Sequence, residues 1–294
     1  MSASGTLFVV ATPIGNRGDL SARARETLAG VDLVAAEDTR HTGSFLAQLG
    51  IARPIVSLHE HNEARRVPEL IERLRRGARI ALVSDAGTPL VSDPGYRLVA
   101  AAGAAGVAVV PVPGACAAIA ALSVAGLPTD RFAFEGFLPA RGPKRRGRLA
   151  MLAAEPRTLV FYESPHRLAD TLADLAAAFG DDRPAVLARE LTKLHESIYR
   201  DPLGALAAAA RADANMTRGE AVLAVAGAPA VDPDAPAPAL ADRLLAALLP
   251  DLPLSRAVDV VAEATGERRN RVYARALSLK SASPPTPDES GSRS

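Results

Sequence analysis

Short apolar runs alternate with amphipathic segments through the first part of the chain. The segments between the runs carry apolar residues at helical spacing, and in residues 67–76 these residues would share one face. Alternating strands and helices predict a doubly wound α/β domain with a parallel sheet, which we place at residues 1–127. The apolar runs have the length of buried β-strands and cover residues 6–11, 31–36, 55–58, 80–83 and 107–110.

The next part of the chain predicts a second α/β domain, over residues 128–228. Its strands follow one another at short intervals near the end of the domain, so its sheet is predicted to be mixed. A segment rich in Pro, Ala and Asp, residues 229–239, predicts a linker. The predicted strands of the second domain are residues 132–137, 158–162, 185–188 and 220–226.

Three short helices are predicted beyond the linker, over residues 240–249, 254–264 and 267–279. Gly266 separates the last two helices, a layout typical of helix-turn-helix modules. We assign these helices to a module that spans residues 240–280. The Ser- and Pro-rich residues 281–294 are predicted to be a disordered tail.

A loop rich in glycine and proline, residues 84–95, follows the fourth apolar run. A buried strand that ends in Ser84 and Asp85 and opens into such a loop is typical of a ligand-binding edge in an open α/β sheet. The alternative is that Asp85 caps a helix in an ordinary turn. Polar residues also follow the second and third strands, at 37–41 and 59–63, so a site is predicted at the carboxyl edge of the sheet.

The loop after the first strand, residues 12–19, joins a strand to a helix, as nucleotide-binding loops do. Its glycine spacing matches neither the dinucleotide fingerprint nor the P-loop. His59 and His61 could bind a metal only with a third ligand that the sequence does not show, and we predict no metal. Cys116 is the only cysteine, which excludes disulfides and thiolate metal sites and favours a reducing cytoplasm.

The formal net charge is only +1, so any contact with nucleic acid must rely on local clusters of charge. Residues 141–148 hold five basic residues and no acidic one, and the last predicted helix is also basic. Such clusters suit contacts with a phosphate backbone; the alternatives are a solvated loop and a set of helices that caps a dimer. The predicted RNA-binding residues are Arg141, Lys144, Arg145, Arg146, Arg148, Arg268, Arg269, Arg271 and Arg275.

Residues 98–129 contain no charged residue, a stretch long enough to suggest a membrane span. The stretch is mostly Ala and Gly, and Pro111, Pro113 and Gly114 interrupt it, so we predict a strand, a turn and a buried helix instead. The apolar run near the first residue is too short for a signal peptide. We therefore expect a cytoplasmic protein without membrane contact.

Seven segments in order resemble the tetrapyrrole methylase superfamily, and the resemblance covers about residues 5–280. Each motif is weak alone, and it is their order that makes the resemblance specific. Relatives that modify tetrapyrroles have a glycine-richer first loop and a Gly-Asp-Pro at the fourth strand. The stretches Thr12-Pro13-Ile14-Gly15 and Ser84-Asp85-Ala86-Gly87-Thr88-Pro89 favour instead the branch that methylates ribosomal RNA. The seven segments are residues 11–16, 36–42, 59–63, 83–95, 111–114, 161–167 and 189–193.

The resemblance implies two α/β domains that hold S-adenosylmethionine in the cleft between them, with a small C-terminal helical module. It also implies methylation of the ribose 2′-oxygen of a cytidine in the decoding region of 16S rRNA. The partners expected are 16S rRNA within the 30S subunit and a second copy of the chain in a homodimer. Matched motif positions make the cofactor-binding residues Pro13, Ile14, Asp85, Gly87, Thr88, Ala115, Cys116, Tyr162 and Glu190.

Methyl transfer to a ribose hydroxyl requires alignment of the reactants and removal of the hydroxyl proton. We therefore expect a general base, or a cation that stabilises the alkoxide. The candidates are Glu37, Asp38, His61 and Lys193, although Glu37 or Asp38 could simply pair with Arg40. Two rival functions stay open: a tetrapyrrole methyltransferase, which would not need the basic module, and an RNA-binding ribosome factor without a cofactor.

Overall fold

The structure is a computed structural model that describes residues 5–229 and 240–282. The chain divides into two compact units, Met1–Pro229 and Ala230–Ser294, which we describe separately. The predicted linker lies outside the described residues except for Pro229, and so do residues 283–294 of the predicted tail. Within the described residues, no helix is both long enough and apolar enough to cross a membrane.

The first unit begins with a sheet of five parallel strands, in the order β3-β2-β4-β1-β5. Each of the four connections that join these strands contains a helix that returns the chain to the same end of the sheet, so the carboxyl ends of the strands share one edge. The predicted doubly wound parallel domain is confirmed. Its strands are β1 (Thr6–Val10), β2 (Leu33–Ala36), β3 (Ile55–Ser57), β4 (Arg79–Val83) and β5 (Ala108–Val112).

Helices cover both faces of this sheet. Two of them pack with Val10, Val34 and Val83 on one face, and two pack with Leu7, Ile80 and Leu82 on the other. The first pair is α1 (Ala22–Gly30) and α2 (Thr39–Gln48), and the second is α3 (Glu63–Arg75) and α4 (Tyr96–Ala104).

Helix α2 has ten residues, although its first turn carries no apolar side chain. The helix begins at Thr39, because the Asp38 carboxylate accepts hydrogen bonds from the backbone N–H groups of Arg40 (2.8 Å) and His41 (3.4 Å). This is an N-cap, which satisfies N–H groups that the first turn of a helix leaves unpaired.

The second sheet is mixed, as predicted, with the strand order β6-β7-β10-β8-β9. The β6–β7 pair is parallel and the other pairs are antiparallel. The edge strand β9 was missed by the sequence analysis, because its Ser-Ile-Tyr-Arg-Asp-Pro sequence has no apolar run. The strands are β6 (Phe132–Phe137), β7 (Thr158–Glu163), β8 (Pro184–Arg189), β9 (Ser197–Pro202) and β10 (Ala221–Val225).

The two faces of the second sheet meet different partners. One face packs against α6 (Gly142–Leu152), α7 (Leu168–Phe179) and α8 (Leu203–Ala212). The other face, with Val160, Ala188 and Val222, packs against α5 (Ala117–Ala125), which directly follows the first sheet in the chain. Helix α5 therefore joins the two sheets, and the carboxyl edge of the first sheet faces β7, β8 and β10.

The helical unit contains α9 (Leu240–Leu248), α10 (Leu254–Thr265) and α11 (Arg269–Ala282), close to the three predicted helices. Gly266 ends α10 in the left-handed conformation (φ 69°), where glycine has no steric penalty. The small core of this unit is formed by Ala241, Leu245, Val258, Val261, Val272 and Ala276.

Candidate active site

Three loops at the carboxyl edge of the first sheet are tied together by hydrogen bonds. The backbone N–H of Thr12, after β1, donates to Gly87 O (2.8 Å), and the N–H of Gly87, after β4, donates to Thr12 O (3.1 Å). The hydroxyl of Thr88 donates to the carbonyl of Ala115, after β5 (2.9 Å). The glycine- and proline-rich loop of residues 84–95 is thus fixed on both sides, as a pre-organised site requires.

The same loop holds two non-glycine residues in the left-handed conformation, Leu90 (φ 74°) and Ser92 (φ 67°). Such conformations cost free energy and cluster at functional sites, where the surrounding structure enforces them. Ser92 also lies against the second domain, because a Cβ added to Gly136 would come within 3.0 Å of its Oγ. The strained loop therefore reaches from one domain to the other.

Tyr162 connects the domains from the opposite side. Its phenolic oxygen accepts a hydrogen bond from the backbone N–H of Ala118 (3.2 Å), in the first turn of α5. Its ring meets Phe134 and Phe137 edge to face, at centroid distances of 4.9 and 5.6 Å. Burial, followed by the neighbouring Cys116 thiol, raises the pKa of Tyr162, so the phenol stays protonated at neutral pH.

A cavity of about 360 Å³ lies between the two domains at this edge, within the range of small-molecule sites. Most of its walls are apolar, and its polar lining includes Asp85, Asp93, Glu163 and Glu220. No described residue in its lining carries a positive charge. The other lining residues are Ile14, Ala86, Gly87, Thr88, Val91, Ser92, Cys116, Ala117, Phe137, Tyr162, Ser164, Pro165, Ala188, Leu191, Ala221 and Val222.

Several carboxyl groups lie beside this cavity and shift one another's pKa values. Asp85 accepts a hydrogen bond from the backbone N–H of Asp38 (3.1 Å). Burial raises the pKa of Glu37, and the charges of Asp93 and Asp85 raise it further. Burial is also the main cause that raises the pKa of Asp93, with Asp85 adding to it. The site therefore has a negative potential that favours a cationic ligand.

Most of the predicted cofactor-binding residues lie at this cavity. Pro13 and Ala115 adjoin the lining without forming it, and Glu190 lies one residue before Leu191, which lines the cavity. The predicted residues that do line the cavity are Ile14, Asp85, Gly87, Thr88, Cys116 and Tyr162.

Glu190 belongs to an ion-pair cluster with Lys193 and Glu220. The Lys193 Nζ lies 3.0 Å from an oxygen of each carboxylate. Burial alone would lower the pKa of Lys193, but the hydrogen bonds to Glu190 and Glu220 outweigh burial and raise it. Lys193 is therefore a protonated cation at neutral pH and cannot act as a general base, which leaves a cationic role for it among the predicted catalytic residues.

The other predicted catalytic residues lie elsewhere. Asp38 is the N-cap of α2, and Glu37 and His61 line a second cavity beside the first. Throughout residues 5–229 and 240–282, no three His, Cys, Asp or Glu side chains are grouped so that they could hold a metal ion.

The basic stretch at residues 141–148 is largely helix α6, and not the loop that its glycines and proline suggested. Arg145 must be withdrawn as an RNA contact, because it is 5% exposed and its Nε pairs with Asp174 at 2.7 Å. Arg148 pairs with Glu135. The side chains of Arg141, Lys144 and Arg146 are exposed, although Arg146 also lies 3.7 Å from Asp174.

The basic residues of α10 and α11 are also divided between pairing and exposure. Arg269 pairs with Asp259 (2.6 Å), and Arg275 pairs with Glu267 (3.1 Å). Arg268 and Arg271 are exposed, and neither forms an ion pair within the described part of the helical unit.

Sequence reasoning missed most of the second-domain wall. Glu163 to Pro165 fall inside a segment that resembled the family, which is a signal that could have identified them. Ala188 and Val222 carry no such signal, because they are ordinary strand residues whose face depends on the strand order. Asp93 lies three residues before the first residue of α4, and it also lines the cavity.

Comparison with known proteins gives two domain matches. Residues 6–207 match the family model of tetrapyrrole (corrin/porphyrin) methylases. Residues 234–280 match the model described as the RsmI C-terminal HTH domain. The two matches together cover the first α/β domain, most of the second and the helical unit.

Curated relatives match over nearly the whole chain. The ribosomal RNA small subunit methyltransferase I of Escherichia coli O157:H7 is 52% identical over 276 residues, which cover 94% of this chain and 96% of the relative. The protein of the same name from Pseudomonas aeruginosa strain PAO1 is 54% identical over 275 residues, covering 94% of this chain and 98% of the relative.

Solved structures share the fold at low sequence identity. A cobalt precorrin-4 methyltransferase superposes with a TM-score of 0.56 at 18% identity, covering 75% of this chain and 94% of that one. The uroporphyrin-III C-methyltransferase of Thermus thermophilus, solved with S-adenosyl homocysteine, gives 0.53 at 19% identity, with 76% and 97% covered. The domain matches and the identity to curated relatives show that the chain belongs to the tetrapyrrole methylase family and, within it, to the ribosomal RNA small subunit methyltransferase I branch.

Proposed function

We propose that this chain transfers a methyl group from S-adenosylmethionine to the ribose 2′-oxygen of a cytidine in the decoding region of 16S rRNA. The observation that carries the proposal is the identity of about half of all positions, over 94% of the chain, to proteins named for methylation of small-subunit ribosomal RNA. The match of residues 234–280 to the helix-turn-helix domain of the same branch supports it.

The cavity between the α/β domains suits S-adenosylmethionine. The sulfonium and the amino group of that molecule are cationic, and Asp85 and Asp93 are the lining carboxylates that form no ion pair within the described residues. The other two lining carboxylates, Glu163 and Glu220, are paired with Arg167 and Lys193. Asp85, Gly87 and Thr88 would hold it from the first domain, and Tyr162 and Leu191 from the second. When bound, it supplies an electrophilic methyl group on a positively charged sulfur.

The residues of the chain must then position the ribose hydroxyl and accept its proton. A base works best when its pKa lies near the working pH, and the pKa of the Glu37 carboxyl is moved upward in that direction. Glu37 and His61 border the second cavity, next to Asp93. We assign the role of proton acceptor to one of these three side chains, and a cationic role beside the cleft to Lys193.

RNA would be bound by exposed basic side chains within each of the two units. Arg141, Lys144 and Arg146 lie on or beside α6, and Arg268 and Arg271 lie on or beside α11. Arg and Lys that remain exposed can neutralise phosphates, whereas the paired Arg145 cannot. The proposal includes the assembled 30S subunit as the substrate, a homodimer as the working form and the cytoplasm as the site of action.

The test is a transfer assay with purified protein and labelled S-adenosylmethionine. The substrates are 30S subunits from cells that lack the protein, naked 16S rRNA and a uroporphyrinogen. The proposal predicts label on 30S subunits, recovered after nuclease digestion as 2′-O-methylcytidine. Label on a base or on the tetrapyrrole alone would overturn it. Light scattering of the purified protein tests the homodimer, which a monomer mass would refute.

A further inference from the structure

A second cavity, of about 510 Å³, adjoins the first at the carboxyl edge of β2, β3 and β4. Ser92 and Asp93 line both cavities, so the strained loop forms the wall that they share. Neither the family match nor the cofactor chemistry assigns an occupant to it. Its remaining lining residues are Glu37, His59, Glu60, His61, Glu63, Pro94, Gly95, Tyr96 and Arg97.

The frame of this cavity is rigid. Asn62 closes the turn after β3, because its side chain accepts from the His59 N–H (3.0 Å) and donates to the backbone and hydroxyl oxygens of Ser57 (3.2 and 3.1 Å). The buried Glu63 accepts from the N–H of Gly95 (2.9 Å), just before α4. The two loops around the cavity are therefore held together before any ligand arrives.

The interior of the cavity presents polar atoms. His59 and His61 line it; the Nδ1 of His59 lies beneath the surface and has no hydrogen-bond partner among the described residues, which is uncommon in folded proteins. The His59 and His61 rings meet edge to face at 6.0 Å. The carboxyls of Glu37 and Asp93 complete a set of groups that can accept or donate hydrogen bonds.

The rim of the cavity presents an aromatic ring and a cation. Tyr96, the first residue of α4, is 73% exposed, an unusual position for a large aromatic side chain. Beside it, the Arg97 side chain is 61% exposed, and its Nε lies 4.0 Å from Glu63. An exposed ring can stack on a nucleobase, and a neighbouring guanidinium can contact a phosphate.

We propose that the second cavity receives the base of the nucleotide that is methylated, a cytosine turned out of the RNA strand. The ribose would then lie at the wall of Ser92 and Asp93, beside the methyl donor in the first cavity. Tyr96 stacks on the base or its neighbour, and Arg97 contacts the phosphate. This inference rests on the proposed function and adds to it the place where the target nucleotide binds.

The chemistry of the lining favours cytosine over uracil. Cytosine presents an exocyclic amino group, and carboxylates accept hydrogen bonds from that group. Uracil presents a carbonyl oxygen at the same position, which an ionised carboxylate of the lining would repel. The histidine nitrogens can supply the remaining donor or acceptor of the base edge.

The test compares steady-state methylation of 30S subunits by Tyr96→Ala, Tyr96→Phe and Arg97→Ala. Arg76→Ala is the control for charge, because Arg76 is exposed at the far end of α3, about 20 Å from Glu63 by the length of the helix. Affinity for S-adenosylmethionine is measured by calorimetry for each variant.

The inference predicts that Tyr96→Ala lowers kcat/KM for 30S subunits by roughly tenfold, as loss of one stacked base requires. Tyr96→Phe should keep most of the wild-type kcat/KM, because it keeps the ring. Arg97→Ala should lower kcat/KM more than Arg76→Ala does. The affinity for S-adenosylmethionine should stay within about twofold of wild type in every variant. If wild type methylates 30S subunits and the variants at Tyr96 and Arg97 have the same kcat/KM as Arg76→Ala, the inference is overturned but the proposed function is not. Wild-type protein that methylates no RNA overturns the proposed function and this inference together.

Discussion

The phenolic oxygen of Tyr162 accepts a hydrogen bond from the backbone N–H of Ala118 at 3.2 Å. Tyr162 is the next-to-last residue of β7 in the second sheet. Ala118 lies in the first turn of α5, whose cap residue Cys116 offers no side-chain hydrogen bond. A side chain of one domain therefore performs the capping that the helix of the other lacks. This contact ties the two domains together beside the cofactor cavity, which Tyr162 lines.

Tyr162→Phe tests that relationship. The change removes only the hydroxyl and leaves the Ala118 N–H without its partner, which costs about 1–3 kcal/mol when the group is buried. We expect a lower thermal midpoint and weaker binding of S-adenosylmethionine. Tyr199→Phe, on β9 of the same domain, is the matched control. Equal effects of the two substitutions on cofactor affinity would show that the Tyr162 hydroxyl has no role in the cleft.

A second contact between the domains involves the loop after β1 and the loop after β8. The N–H of Asn16 donates to the Thr192 hydroxyl (3.1 Å), and a Cβ added to Gly15 would collide with the stem of Lys193. We expect Gly15→Ala to separate the loops and weaken cofactor binding by roughly tenfold, about 1.4 kcal/mol. Gly103→Ala, in α4 with open space around its Cβ position, should be neutral or stabilising. Calorimetric titration with S-adenosylmethionine separates these outcomes, and unchanged affinity in Gly15→Ala contradicts the account.

The carboxyl cluster makes a prediction about pH. The pKa of Glu37 is raised in the folded protein above its ordinary 4.5, so the free energy of unfolding falls as the pH rises from that value through the raised one. Glu37→Gln removes this loss of stability, because the amide does not ionise. The variant should be more stable than wild type at pH 7.5, with the difference disappearing as the pH falls below about 4.

Glu155 is a control in which the pKa is lowered instead of raised. A hydrogen bond from the Arg157 side chain is the main cause that lowers the pKa of Glu155 to about 2. Its contribution is therefore complete above pH 4.5 and is lost as the pH falls toward about 2. Glu155→Gln should be less stable than wild type at neutral pH. Thermal unfolding between pH 3 and 8 measures both variants, and parallel curves for Glu37→Gln and wild type would refute the raised pKa.

Arg145 and Lys144 are neighbours in α6 with opposite expected roles. Removal of Arg145 leaves Asp174 largely buried beside an empty site, and breaking a buried pair costs about 3–5 kcal/mol. We expect Arg145→Ala to lower the thermal midpoint strongly. Lys144→Ala should leave stability unchanged. It should weaken RNA binding and make that binding less dependent on salt concentration. Thermal unfolding measures stability, and filter binding at several salt concentrations measures RNA affinity. Lys144→Ala that bound RNA as tightly as wild type would contradict this division of roles.

The sequence predicted the first domain and its half of the cleft well, for a physical reason. Parallel strands must be buried on both faces, so each one is a continuous apolar run, and the carboxyl ends share an edge. Asp85, Gly87 and Thr88 follow such a strand directly, and their position does not depend on distant parts of the chain.

The second-domain half of the cleft could not be predicted in the same way. Ala188 and Val222 face the cavity because β10 lies between β7 and β8, an order that the alternation of residues does not reveal. Helix α6 was missed because its Gly, Pro and Arg residues resemble a loop. Two of its arginines pair with carboxylates outside the helix, Glu135 in β6 and Asp174 in α7. These features depend on tertiary contacts that only the fold supplies.

The central claim is methylation of one cytidine ribose in 16S rRNA with S-adenosylmethionine held by Asp85 and its loop. The most direct measurement is ribose-methylation mapping of 16S rRNA from cells that lack the protein, complemented with wild type or with Asp85→Ala. We predict that one 2′-O-methylcytidine in the decoding region is absent from the deficient cells, returns with the wild-type protein, and fails to return with Asp85→Ala. An unchanged methylation map in the deficient cells would contradict the account.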